Sequence, residues 1–112
     1  MLVVEDDTLV LRALKRALAP RCDATFAASG RAALAEILEH EFDAVMSDFC
    51  MPGVDGRQVL AAAREVRPTA VRILLTATPD ARQLDVADYV IAKPCSLREL
   101  VATIEQVGRA RG

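Results

Sequence analysis

The sequence predicts a doubly wound α/β fold, five parallel strands with helices on both faces, and three observations carry that prediction. Short apolar runs rich in Val, Leu and Ile alternate with longer segments whose apolar residues recur at helical spacing. The runs are almost continuously apolar, as strands buried on both faces require. Most intervals between them are long enough for the helical crossovers that parallel neighbours need. A chain of 112 residues supports one hydrophobic core and not two, so residues 1–112 are read as a single domain.

The first strand is "LVVE", residues 2–5. In the following "DTLVLRALKRALAP", Val10, Leu11, Leu14, Ala17 and Leu18 form a helical stripe that Pro20 stops. "ATFAA" is a weaker strand, and "SGRAALAEILEHE" a helix with Ser29 as N-cap and Leu34, Ile37 and Leu38 on one face. The third strand, "DAVMS", delivers Asp48 to a sharp turn at Pro52 and Gly53. Asp55 then caps "GRQVLAAAREV", and Pro68 closes that helix before the strand "VRILLTA". Between that strand and the next, "YVIA", lies only "TPDARQLDVAD", room for a helix of about one or two turns. The fourth crossover is therefore expected to be stunted. The last helix, "SLRELVATIEQVGRA", opens with a capping box of Ser96 and Glu99.

Composition narrows the function. A formal charge of −2 provides no broad basic surface, which argues against direct nucleic-acid binding. Cys22, Cys50 and Cys95 are odd in number and far apart, which suits a reducing, cytoplasmic setting better than a disulfide framework. No apolar run approaches the ~20 residues of a membrane span, so no membrane insertion is expected. "MLVVED" enters a strand at once, so that either a natural start or a cut in a longer chain lies there. A nucleotide-binding G-x-x-x-x-G-K-[ST] loop is absent.

In a doubly wound sheet, ligands bind beyond the carboxyl ends of the strands. Strand one delivers Glu5, Asp6 and Asp7 there, strand three Asp48, strand four Thr76 and strand five Lys93 with Pro94. Carboxylates at ~4 Å repel by about 4 kcal/mol at an effective dielectric of 20, so a cation must offset them. All-oxygen ligands favour Mg²⁺ or Mn²⁺, and Lys93 adds a fixed positive charge. Taken alone, Asp48 is a turn or cap residue, a metal ligand or a nucleophile. Thr76 alone is an ordinary strand threonine, Lys93 a surface lysine, and Glu5, Asp6 and Asp7 acids suited to a helix start. His40 reads as a solvated helix end with no motif making it a base for Cys50, and the arginines of "GRARG" as a fraying terminus.

"VVEDD", "DFCMPGVDG", "LLTA" and "AKP" resemble, in order and strand-end placement, the receiver domains of two-component response regulators, over essentially the whole chain. The resemblance implies the CheY-like strand order 2-1-3-4-5, with the fourth helix shortened here. It implies that Asp48 accepts a phosphoryl group from a sensor histidine kinase or histidine phosphotransfer protein, and that partner binding then switches. Asp6 and Asp48 would bind Mg²⁺ (or Mn²⁺) directly, Glu5 through a water, and Cys50 through its backbone carbonyl. Thr76 would bond the phosphoryl group and Lys93 pair with it, with the Lys93–Pro94 peptide cis.

Some features depart from the family pattern. The segment after Thr76 is short, which puts the usual docking face in question. The usual aromatic position is Val90, whereas Tyr89, one residue earlier, should face the other side of the strand. The coupling between threonine and aromatic is thus absent or rewired. Small residues at Ala77 and Thr78, with Cys50, leave room for water to reach an acyl phosphate. Such a chain is a stand-alone receiver or a piece of a larger regulator, and a self-phosphorylating switch rather than a metabolic enzyme. Two other functions compete with this reading: a pseudo-receiver scaffold that binds its partner regardless of phosphorylation, and a small aspartate-nucleophile phosphatase.

Overall fold

The structure, a computed structural model, describes residues 1–111, with side chains described for all of these but Ala81 and residues 108–111. The expected fraying of the terminal arginines therefore concerns side chains outside the described residues. In chain order the elements are β1 (Leu2–Val4), α1 (Thr8–Leu18), β2 (Thr25–Ala27), α2 (Gly30–Glu39) and β3 (Ala44–Asp48). There follow α3 (Gly56–Val66), β4 (Val71–Thr76), a 3₁₀ turn (Ala81–Asp85), β5 (Tyr89–Ala92) and α4 (Leu97–Arg111). All four strand pairings are parallel and the order is β2-β1-β3-β4-β5, as expected.

Successive strand residues face opposite sides of the sheet, and this divides the core in two. Leu2, Val4, Val45 and Leu74 pack towards Ala33 and Ile37 of α2 and Val59, Leu60 and Ala63 of α3. Val3, Met46, Ile73 and Leu75 pack towards Leu14 and Leu18 of α1 and Leu100 and Ile104 of α4. Two stripe expectations fail at single residues. Val10 is 42% exposed because the first turn of α1 begins beyond the end of β1, past the sheet that would cover it. Leu38 is 76% exposed because it lies 100° further round α2 than Ile37, which already faces the sheet.

Local signals place the helix starts. Asp7 caps α1 by accepting from the Leu9 and Val10 N–H groups, and Ser29 caps α2 by accepting from Ala32 N–H. Asp55 and Gln58 form a reciprocal capping box at α3. At α4, Ser96 Oγ accepts from Glu99 N–H, one half of the box expected there.

The fourth crossover is a single 3₁₀ turn, and arginine side chains tie it down. Arg72 on β4 donates from Nε to the Val86 carbonyl at 2.8 Å and lies 3.8 Å from the Asp88 carboxylate, which also accepts from Arg72 N–H at 2.8 Å. Arg64 of α3 donates to the Asp85 carbonyl. Among the described residues no helix is long and apolar enough to cross a membrane.

Candidate phosphoryl-acceptor site

Parallel register brings the strand ends to one edge. Val4 pairs with Ala27 and Ser47, Asp48 with Leu75, and Thr76 with Ala92, so the residues after β1 and β5 and the last residues of β3 and β4 meet there. Glu5 N–H donates to the Ala27 carbonyl at 3.0 Å and Lys93 N–H to the Thr76 carbonyl at 2.8 Å, which extends the ladder into the site residues themselves.

Asp48 is held through the backbone on either side of it. Ser47 Oγ donates to the Asp48 carbonyl at 2.9 Å, and Phe49 N–H to the Leu75 carbonyl at 2.8 Å. The turn that follows uses Gly53 at φ 76°, a left-handed conformation that glycine adopts without penalty. It returns α3 so closely that a Cβ on Gly56 would stand 2.2 Å from the Asp48 carbonyl oxygen. The glycine at that position is thus a packing requirement of the site.

Glu5, Asp6 and Asp48 each present a carboxylate oxygen within 4.8 Å of the others. Glu5 and Asp48 are buried, and Asp6 is half-buried. Burial, and then the Asp48 charge, raise the Glu5 pKa above its ordinary 4.5, despite the Asp7 N–H that its carboxylate accepts at 3.4 Å. Lys93 Nζ pairs directly with Asp48 Oδ1. Its partial burial alone would lower the ammonium pKa, but hydrogen bonding to Asp48 and the Asp48 and Glu5 charges outweigh burial and raise it. The Lys93–Pro94 peptide is cis. The donor set of three convergent carboxylates suits a small hard cation, and one ammonium does not neutralise it.

Thr76 is buried at the same edge, but its hydroxyl is turned along its own loop. Thr76 Oγ1 accepts from Thr78 N–H at 3.1 Å and lies 3.5 Å from Thr78 Oγ1. Cys50 is exposed two residues past Asp48, and Cys22, Cys50 and Cys95 are all free thiols. Asp7 serves as the α1 cap. His40 ends α2, 3.7 Å from Glu36 and ahead of β3, away from the carboxyl edge where Cys50 lies. Tyr89 is 43% exposed, while Val90 packs with the α2–α3 side of the core, so the two do face opposite sides.

Sequence reasoning missed Gly56, Arg72 and Gln83. Nothing local marks the close approach at Gly56 or the carbonyls Arg72 reaches. Gln83 carried a usable signal, since "DARQ" at residues 80–83 has the spacing of a capping box and forms one, Asp80 to Gln83, in the 3₁₀ turn.

Residues 1–105 match the family model described as the response regulator receiver domain. The transcriptional regulatory protein TcrA of Mycobacterium tuberculosis is 36% identical over 97% of this chain and 46% of its own length. A CheY-like receiver domain protein from Methanospirillum hungatei is similar in structure, with a TM-score of 0.83 and 28% identity over 94% of this chain and 89% of that one. The response regulator TrrA of Thermotoga maritima, solved in complex with Mg²⁺-BeF, has a TM-score of 0.81 and 29% identity over 94% of this chain and 95% of that one. The chain spans about half the length of the curated relatives it first matches.

Proposed function

The chain belongs to the response regulator receiver domain family, and from that premise we propose that Asp48 is its phosphoryl acceptor, supplied by a sensor histidine kinase or a histidine phosphotransfer protein. The observation that carries this reading is the convergence of Glu5, Asp6, Asp48 and Lys93 at the carboxyl edge, with Lys93 paired to Asp48. An Asp48 oxygen attacks phosphorus in line as the bond from phosphorus to the donor imidazole breaks. The products are an acyl phosphate on Asp48 and a free donor histidine. Lys93 offsets charge on the phosphoryl oxygens, and the Thr76 hydroxyl donates to one of them.

Glu5 through a water, Asp6 and Asp48 directly, and Cys50 through its carbonyl would hold Mg²⁺ or Mn²⁺, which when bound supplies the positive charge that phosphoryl transfer requires. The Mg²⁺-BeF complex of the Thermotoga maritima relative supports that choice of metal. A mainly apolar groove of about 580 Å³, lined by Leu9, Val10, Pro94 and Leu97, adjoins Glu5 and Lys93 and offers the donor protein a surface beside the reacting groups. Residues 1–112 act as one receiver unit whose phosphorylation switches the binding of a protein target, in keeping with a cytoplasmic signalling role rather than metabolic catalysis.

The test is intact mass after incubation with Mg²⁺ and a small acyl-phosphate donor. One added phosphoryl group, absent in Asp48→Asn and absent without Mg²⁺, is the expected result. An unmodified protein that binds no Mg²⁺ would refute the reading and point to a phosphorylation-independent scaffold. Sustained donor turnover with no adduct would point to a phosphatase.

A further inference from the structure

The buried polar side chains among the described residues are Glu5, Ser47, Asp48, Thr76 and Gln83. The first four lie at the carboxylate site, whereas Gln83, 6% exposed, lies in the 3₁₀ turn. A buried carboxamide needs partners for both its ends. Gln83 Nε2 donates to the Thr78 carbonyl at 3.3 Å, and Gln83 Oε1 accepts from Asp80 N–H at 2.9 Å. Its backbone is bonded as well: Gln83 N–H donates to the Asp80 carbonyl at 3.0 Å, and the Gln83 carbonyl accepts from Val86 and Ala87 N–H at 3.2 and 3.1 Å.

These bonds continue to the site. Thr78, whose carbonyl Gln83 holds, donates its own N–H to Thr76 Oγ1. An unbroken path therefore runs from the Thr76 hydroxyl through Thr78 to Gln83 and on to Val86 and Ala87. Its far end is pinned by Arg72 at the Val86 carbonyl and Arg64 at the Asp85 carbonyl. Leu84, 58% exposed, rides on the turn between.

We propose that Gln83 is the positioning residue through which occupancy of Asp48 is transmitted to the 3₁₀ turn and its exposed Leu84. The proposal rests on Thr76 being the hydroxyl that bonds the phosphoryl group. In the structure that hydroxyl is engaged with Thr78 and makes no bond to Asp48 or Lys93. To reach a phosphoryl oxygen on Asp48 it must swing towards β3. Either Thr78 follows it or the bond to Thr78 N–H breaks, and both change the Thr78 carbonyl that Gln83 grips. A buried amide with two fixed partners cannot absorb that movement alone, so the turn it is built into moves with it.

Amide hydrogen exchange on the full chain tests this, with Mg²⁺ and beryllofluoride as the probe and intact mass after acyl-phosphate treatment as a parallel measure. In the wild-type protein, beryllofluoride should change exchange across residues 78–87 by about threefold or more. In Gln83→Leu, exchange there should be faster at rest, and the beryllofluoride response should survive at Thr78 and vanish at residues 83–87. Adduct formation on Asp48 should stay within about twofold, because Gln83 touches no reacting group. A full response at residues 83–87 in Gln83→Leu overturns the proposal, as does a wild-type protein that forms the adduct without any change there. If no adduct forms at all, the acceptor reading of Asp48 falls and takes the coupling with it. If Gln83→Leu does not fold, Gln83→Glu, which keeps an acceptor for Asp80 N–H and loses the donor to the Thr78 carbonyl, decides instead. A beryllofluoride response kept at Thr78 and lost at residues 83–87 supports the proposal; a full response at residues 83–87 overturns it.

Discussion

Replacing Glu5 with glutamine should stabilise the metal-free protein and weaken its response to Mg²⁺. Glu5 is 5% exposed, with a carboxylate oxygen within 4.8 Å of those of Asp6 and Asp48. Two like charges at that separation repel by about 3.5 kcal/mol at an effective dielectric of ~20. The Asp7 N–H and, less strongly, Lys93 offset part of this, and glutamine keeps an oxygen for the Asp7 N–H. The remaining penalty, mainly desolvation of the charge, is about 1 kcal/mol, which Glu5→Gln should recover at pH 7 in EDTA.

The pH dependence follows from the raised pKa of Glu5. A folded-state pKa above the unfolded value contributes stability that is fully present below 4.5 and is lost as pH rises through the folded value. The variant's advantage should therefore be near zero at about pH 4 and full at about pH 7. Mg²⁺ at 100 times its dissociation constant should stabilise the wild type by about 2.7 kcal/mol, and a tenfold loss of affinity in the variant should remove about 1.3 kcal/mol of that at the same Mg²⁺ concentration. Urea unfolding of both proteins, in EDTA and in Mg²⁺ across this pH range, measures every quantity. A variant less stable than wild type in EDTA at neutral pH, or a difference independent of pH, would refute the electrostatic account.

Gly56→Ala should cost roughly 3 kcal/mol or more, since the new methyl overlaps backbone at Asp48 that cannot rotate away; a loss below about 1 kcal/mol in urea unfolding would contradict the packing argument. The Asp80 carboxyl, lowered to about 2 chiefly by hydrogen bonds from Arg82, should show that midpoint by carboxyl NMR. Because this pKa is depressed, the contribution of the Asp80 cap is present above 3.8 and lost as pH falls through about 2. In Arg82→Gln the midpoint should move up towards 3.8, and a midpoint that stays at about 2 would show that the arginine is not the cause.

Most of the fold was legible because its signals are local. A capping residue acts on the next three amides, and an apolar stripe or a proline acts within a few turns, so Ser29, Asp55, Pro68 and Ser96 announce their helices. The failures at Val10 and Leu38 are both failures of periodicity, one along the helix axis and one around it. Periodicity gives a helix an apolar side but says neither how far the sheet extends beneath it, which exposes Val10, nor which edge of that side faces the sheet, which exposes Leu38. The stunted fourth crossover was legible from spacing alone, but its arginine anchors were not, because the carbonyls that accept from them carry no sequence mark.

The sequence by itself determined the alternation of strands and helices, the short crossover, and the set of ionic residues at the strand ends. Only the tertiary structure decided how that set is joined: Lys93 to Asp48, Glu5 into the same buried cluster, and Thr76 away from it towards Thr78 and Gln83. The reason is register. These groups are distant along the chain, and their separations depend on how parallel strands align and how closely α3 returns past Asp48. Residue types near one strand end reveal which charges will be there, whereas contacts a few ångströms long are set by packing across the whole sheet.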